Sequence, residues 1–179
     1  MRLTLALTLS LLATPAMAGE WFQHKFGEAR GYHGSWLAVC ANKGKGDCRA
    51  VQLAGTDGVD GQRRMAINVI RRGRYVITVF QRGWKLGEND VVTFDIDGDV
   101  MGLKDKDWAR GEMDISNVAE TFTIVDGTMN TRLVADLKAG NQATVSMGTE
   151  YDRKDARFDL SGITAALNAI EALIAERGN

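Results

Sequence analysis

Proline is nearly absent from this chain: the one example, Pro15, lies within the first eighteen residues. Beyond that segment, turns must be made by glycine, asparagine and aspartate, which reach left-handed or tightly turned backbone in other ways. Histidine is also scarce, with His24 and His33 alone available as imidazole bases. Cysteine occurs twice, at positions 40 and 48, too seldom for a disulfide-dense mini-protein and too sparse for a four-thiolate zinc site. There is no large charge excess, since 22 Lys+Arg face 23 Asp+Glu. A strongly basic protein built to coat nucleic acid is therefore excluded. No stretch, the apolar run over residues 3–13 included, is long and apolar enough to span a bilayer.

What the first eighteen residues do contain is a positive start at Arg2, an apolar run from Leu3 to Ala13, and small residues at Ala16 and Ala18. This pattern predicts a secretory signal peptide over residues 1–18, cleaved after Ala18. The run is too short for a membrane anchor, and no cysteine follows it to carry a lipoprotein lipid. Cleavage removes Arg2 and Pro15, moving the net charge from −1 to about −2. The remaining residues, 19–179, are expected to form a single β-rich domain, long enough for one hydrophobic core. The expected location is periplasmic or secreted.

In an oxidising compartment, Cys40 and Cys48 read as a disulfide. The polar, glycine-rich segment between them suits a hairpin loop, with strands at Ser35 to Cys40 and Arg49 to Leu53. A redox pair or metal site would need C-x-x-C spacing or further ligands.

Further strands are expected at Arg64 to Ile70, Tyr75 to Phe80, Val91 to Ile96, Val100 to Leu103, Glu120 to Val125 and Ala143 to Met147. Met65, Ile67 and Val69 share one face of their strand, as do Tyr75, Ile77 and Val79. Asp97-Gly98 between two apolar runs is a hairpin signal, because both residues tolerate positive φ. Residues 151–160 read as a turn and strand. A short helix is expected to begin at Asn130 or Thr131 and stop at Gly140. A final helix opens at Ser161 and carries Ile163, Leu167, Ile170 and Ile174 on one face. Core packing is the simplest use of that stripe, with a membrane or partner contact the other reading. Many strands followed by a terminal helix predict an antiparallel β-sandwich or barrel-like domain, with a short helix and a C-terminal amphipathic helix.

The charge that is balanced overall is unevenly placed. Arg63, Arg64, Arg71, Arg72, Arg74, Arg82 and Lys85 occur without an intervening acid, whereas acids outnumber bases three to one from Leu86 to Asp136. Arg71, Arg72 and Arg74 surround Gly73 at an expected hairpin tip, and Arg82 and Trp84 follow. Arginine forms bidentate contacts with phosphate and carboxylate, and tryptophan favours interfaces. These five residues are the candidate binding surface, for lipid headgroups, lipopolysaccharide phosphates or an acidic protein. The bland alternative is a solvated face paired with the protein's own acids.

A catalytic or metal constellation is hard to assemble. No G-x-S-x-G elbow, H-E-x-x-H pair or P-loop is present. Asp95, Asp97 and Asp99 alternate around a turn, but the glycine is misplaced for an EF-hand, and its terminal glutamate position holds Lys106. Asp57-Gly58-Val59-Asp60-Gly61 is similar to a calcium repeat, yet it occurs once. No catalytic residue, metal ligand or cofactor is assigned.

Three stretches carry a family likeness: Trp36-Leu37-Ala38-Val39-Cys40 with Cys48 and Gln52 beyond it, the segment from Leu137 to Ser146, and the segment from Phe158 to Leu167. Over roughly 34–173 the chain resembles the invasion-associated locus B family of exported bacterial proteins. That resemblance implies a β-sandwich-like fold and a periplasmic or outer-membrane-associated location, and some members are linked to host-cell invasion. It supplies no established catalytic residues. A second cysteine pair common in the family has no counterpart here. The functional expectation is an exported, non-enzymatic protein that engages an anionic envelope component or a protein partner, not nucleic acid. The alternative is a periplasmic hydrolase built from carboxylates and one histidine.

Overall fold

Period-two alternation of apolar residues does build sheet, and the sheet is antiparallel throughout. The computed structural model describes residues 19–54, 63–82, 90–111, 120–148 and 153–178. Residues 1–18, where a signal peptide is expected, the 57–61 segment, Trp84, Lys85 and Tyr151 lie outside the described residues.

The strands are β1 (Phe22–Gln23), β2 (Ala29–His33), β3 (Trp36–Cys40), β4 (Cys48–Ala54), β5 (Arg63–Arg71), β6 (Arg74–Gln81), β7 (Val91–Ile96), β8 (Asp99–Leu103), β9 (Trp108–Arg110), β10 (Thr121–Ile124), β11 (Gln142–Gly148) and β12 (Lys154–Asp159). Helical segments are α1 (Ala41–Gly44), α2 (Gly127–Ala139) and α3 (Ile163–Glu176). One sheet runs β1-β2-β3-β4-β5-β6-β10-β9, and a smaller one runs β12-β11-β7-β8. The sheets form an open sandwich rather than a closed barrel. Phe94 of β7 meets Phe122 of β10 edge to face at 6.3 Å, joining the inner faces of the two sheets.

The expected apolar rows face this core. Met65 pairs with Val79, Ile67 with Ile77 and Val69 with Tyr75 across β5 and β6, and all six side chains are buried. Asp97 and Gly98 turn β7 into β8 with φ of 52° and 99°, the backbone a two-residue hairpin requires. The α3 stripe of Ile163, Leu167, Ile170 and Ile174 is buried in the same core. It packs against β2, β3, β4 and β5.

The cysteines form the expected disulfide, Cys40–Cys48, between the ends of β3 and β4. The loop it closes turns through left-handed Asn42 and Lys43. The end of α3 holds that loop, since Arg177 donates to the Gly46 carbonyl at 2.9 Å.

Both helix starts differ from expectation. α2 begins at Gly127, capped by Asp126, whose side chain accepts from the Met129 amide at 2.7 Å. Asn130 is instead drawn inside, at 1% exposure. Ser161 does not open α3. Gly162 does, at φ 91°, where a Cβ would stand 2.0 Å from the His33 carbonyl oxygen. β2 and β9 have no strong sequence signal, since they carry few β-branched residues and are short.

Candidate binding sites

The β5–β6 hairpin places the basic segment. Arg71 lies opposite Arg74, Arg72-Gly73 form the turn, and Gly73 adopts φ 73°. All three arginines are exposed, and none forms an ion pair with an acid among the described residues. The nearby acid on α3, Glu171, accepts a short hydrogen bond from the Tyr75 hydroxyl. Burial, that bond and the Glu171 charge push the Tyr75 phenol up to about 12, against smaller opposing effects of the Gly73 amide and Arg72.

The structure does not gather the whole basic segment. Arg82 follows the far end of β6, eight residues from Arg74 and so roughly 25 Å away along the strand. Arg63 and Arg64 are also at that far end, with Arg64 stacked over the Phe80 ring at 5.8 Å. Linear clustering thus overstated the patch, because a hairpin sends residues near its tip and residues near its base to opposite ends.

A second place was hidden in the sequence. At the seam between β3, β4 and β12, the Trp36 indole donates to the Asp159 carbonyl at 3.0 Å, and Gln52 Nε2 donates to the same oxygen at 2.5 Å. Gln52 Nε2 also reaches the Ser35 carbonyl at 3.2 Å. The Ser35 hydroxyl donates to Asp159 Oδ2 at 2.5 Å, and the Ser161 amide donates to Oδ1 at 2.8 Å. These two bonds hold the Asp159 carboxyl below the usual carboxylate range. A cavity of about 420 Å³ opens here, lined in part by Gln52, Arg157 and Asp159. Two of the stretches that carried the family likeness, at Trp36–Gln52 and Phe158–Leu167, meet at this point, with Gln142 of the third on the cavity wall. The available signal was Gln52 itself, a polar residue on a strand flanked by apolar ones.

Another cavity, about 490 Å³, lies between α2 and the β7–β8 hairpin. Of its aspartates, Asp97 is engaged in turn chemistry, as is Asp95 beside it on β7. Asp97 accepts from the Asn141 and Gln142 amides at 2.7 and 3.0 Å, and Asp95 accepts from the Gly98 amide at 2.8 Å. The amides of Asn141 and Gln142 keep Asp97 below its ordinary value of 3.8. Among the described residues, no three potential ligands are grouped to hold a metal ion.

Neither histidine has a carboxylate partner among the described residues. His33 is buried, and its Nδ1 accepts from the Gly19 amide at 3.4 Å. Burial pushes it below the usual imidazole value of 6.5. His24 accepts from the Phe26 amide at 3.5 Å and leans on the Phe26 ring.

An antiparallel two-sheet sandwich, with a disulfide-closed hairpin clamped by a C-terminal helix, defines the class. The chain belongs to the invasion associated locus B (IalB) family, whose sequence profile matches residues 36–171. The fold is shared with the crystal structure of invasion associated protein B from Bartonella henselae, at a TM-score of 0.59 and 18% identity, covering 80% of this chain and 96% of that one. No curated protein sequence matches the chain significantly. Among the described residues no helix is long and apolar enough to cross a membrane.

Proposed function

We propose that this protein is exported, processed after Ala18, and works in the periplasm or outside the cell as a non-enzymatic binding protein. Its contact surface is the β5–β6 tip, and its partner is an anionic envelope component or an acidic protein. The observation that carries this reading is the set of three exposed guanidinium groups, Arg71, Arg72 and Arg74, without acidic partners among the described residues. Three guanidinium cations on a hairpin tip favour phosphate or carboxylate groups through charge-assisted, bidentate hydrogen bonds. Hydrolysis is disfavoured, because a histidine base needs an orienting partner and neither His24 nor His33 meets a carboxylate among the described residues.

The test is retention of purified bacterial envelope membranes on immobilised protein over a salt series. Wild-type retention should fall as salt rises, since exposed charges are screened. Alanine at Arg71, Arg72 and Arg74 together should remove the salt-sensitive part. Unchanged retention by that variant overturns the assignment.

A further inference from the structure

β8 is the outer strand of the smaller sheet, paired on one side with β7 and on the other with no strand among the described residues. The Asp97-Gly98 turn has both residues at positive φ, which makes Ile96 and Asp99 the closing hydrogen-bonded pair of the hairpin. Such pairs alternate along an antiparallel ladder, so Met101 bonds to Phe94 in the same way. Val100 and Gly102 therefore direct their backbone N–H and C=O groups away from β7. Among the described residues these groups have no other backbone partner. The remaining edges of the two sheets are blunted. β1 has two residues and β9 three, and β12 carries Lys154, Asp155, Arg157 and Asp159 among its six. Short length and charge are the usual means of keeping an edge from pairing. The centre of β8, Val100-Met101-Gly102, has no charge, and Val100 is 65% exposed.

This edge borders the cavity of about 490 Å³ between the β7–β8 hairpin and α2. Ile96 and Met101 supply apolar surface on the sheet side, Ala139 faces them from α2, and Asp99, Arg132 and Asp136 complete the lining. Side chains of a strand alternate between faces, so a strand laid against β8 sends every second side chain into this space. Extended peptides are recognised in this way, main-chain bonds supplying affinity and pockets for alternate side chains supplying selectivity. The charge of the lining decides which peptide fits. Arg132 is engaged with Asp136 at 3.8 Å. Asp99 is exposed and has no cationic partner among the described residues. The unmatched charge is negative.

We propose that β8 is a docking edge for an extended, basic peptide segment of a partner protein, which joins the smaller sheet as a fifth strand. The peptide runs antiparallel to β8, as β7 does on the other side, and exchanges backbone hydrogen bonds with Val100 and Gly102. Its residues opposite Met101 and Asp99 turn their side chains into the cavity. The first is apolar and covers Met101, and the second is a lysine or arginine that pairs with Asp99. The arginine tip of β5–β6 belongs to the larger sheet, and neither reading requires the other.

The test is fluorescence anisotropy of the oxidised protein at low salt with a labelled, capped heptapeptide. The probe is threonine throughout except for valine, valine and lysine at its second, fourth and sixth positions. Wild type should bind it. Methylating the backbone nitrogens of the third and fifth residues, which face Gly102 and Val100, should weaken binding at least about tenfold. Replacing the lysine by glutamine should cost about threefold in wild type and nothing in Asp99→Asn. Val100→Pro removes the outward N–H at an edge position that tolerates proline, so the thermal melt should hold while affinity falls at least about tenfold. Absence of binding, equal binding of the N-methylated probe, or unchanged affinity in Val100→Pro overturns the proposal. Equal affinity of wild type for the lysine and glutamine probes does the same. A wild-type dimer in light scattering that Val100→Pro abolishes gives the edge to a second copy of the chain and likewise overturns the peptide assignment.

Discussion

The Asn130 side-chain oxygen accepts the backbone N–H of Ile77 at 2.8 Å, across 53 residues of sequence. On its other side, Asn130 Nδ2 donates to the carbonyls of Ile124 and Asp126 at 2.8 and 3.0 Å. The pairing of β6 with β10 stops at Thr78 and Thr123, and the Asn130 amide takes the next rung. A helix side chain thereby serves as a piece of sheet. Asn130→Ala should strand buried backbone groups on two strands and cost about 3 kcal/mol. For a chain of this size that lowers the melting temperature by roughly 6–12 °C. Urea unfolding checks it, and a change below about 0.5 kcal/mol would refute the assigned role.

The disulfide closes a short loop, the two cysteines being eight positions apart. Loop-closure entropy then assigns roughly 2.5 kcal/mol to it. Replacing Cys40 and Cys48 together by alanine should lower stability by about that amount, as should reduction of the wild-type protein. Peptide mass mapping without reductant should show the two residues in one cross-linked fragment. Two free thiols in the protein isolated without reductant would contradict the structure.

Acid should weaken the fold in two ranges. His33 is held neutral by burial, so the unfolded chain binds a proton more readily and stability falls as pH drops below 6.5. Asp97 is depressed below 3.8, so its contribution is complete above that value and is lost as pH falls through the lower folded value. Asp97→Asn should be less stable than wild type at pH 7. It should converge with wild type in the acid range, with Asp159 leaving a residual slope. Parallel stability curves from pH 7 to about pH 2 would rule out Asp97 as a source of the acid dependence.

Alkali should act through Tyr75. Its phenol is raised to about 12 in the fold, above the ordinary 10.0, so the stability it contributes is intact below pH 10 and disappears between about 10 and 12. Tyr75→Phe breaks the link from β6 to Glu171 of α3 and should cost about 1 kcal/mol at neutral pH, allowing for solvent screening. It should also flatten the alkaline decline. An unaltered high-pH transition in denaturant titrations would count against this link.

Local signals were readable without any structure. The period-two rows at Met65–Val69 and Tyr75–Val79, the Asp97-Gly98 turn, the α3 stripe and the pairing of Cys40 with Cys48 all depend on residues close in the chain. Side-chain period, turn dihedrals and a short loop carry that information within a few positions. The short strand β2 escaped notice because Arg30-Gly31-Tyr32-His33 alternates in burial but not in ordinary hydrophobicity. The start of α2 was misplaced because Asn130 is a good cap by type, while the folded chain spends its amide on Ile77 and Ile124.

By itself, the sequence determined a β-rich chain with one short disulfide, a leader-like start and an uneven charge distribution. Tertiary structure alone decided which of those charges stand together. Arg71, Arg72 and Arg74 share a tip, whereas Arg82 lies at the other end of the same hairpin. It also decided that Gln52 and Asp159, 107 residues apart, meet at one seam and leave one buried acceptor open. The reason is physical. Hydrogen bonds across such separations follow from how the two sheets pack, and no local periodicity encodes that packing.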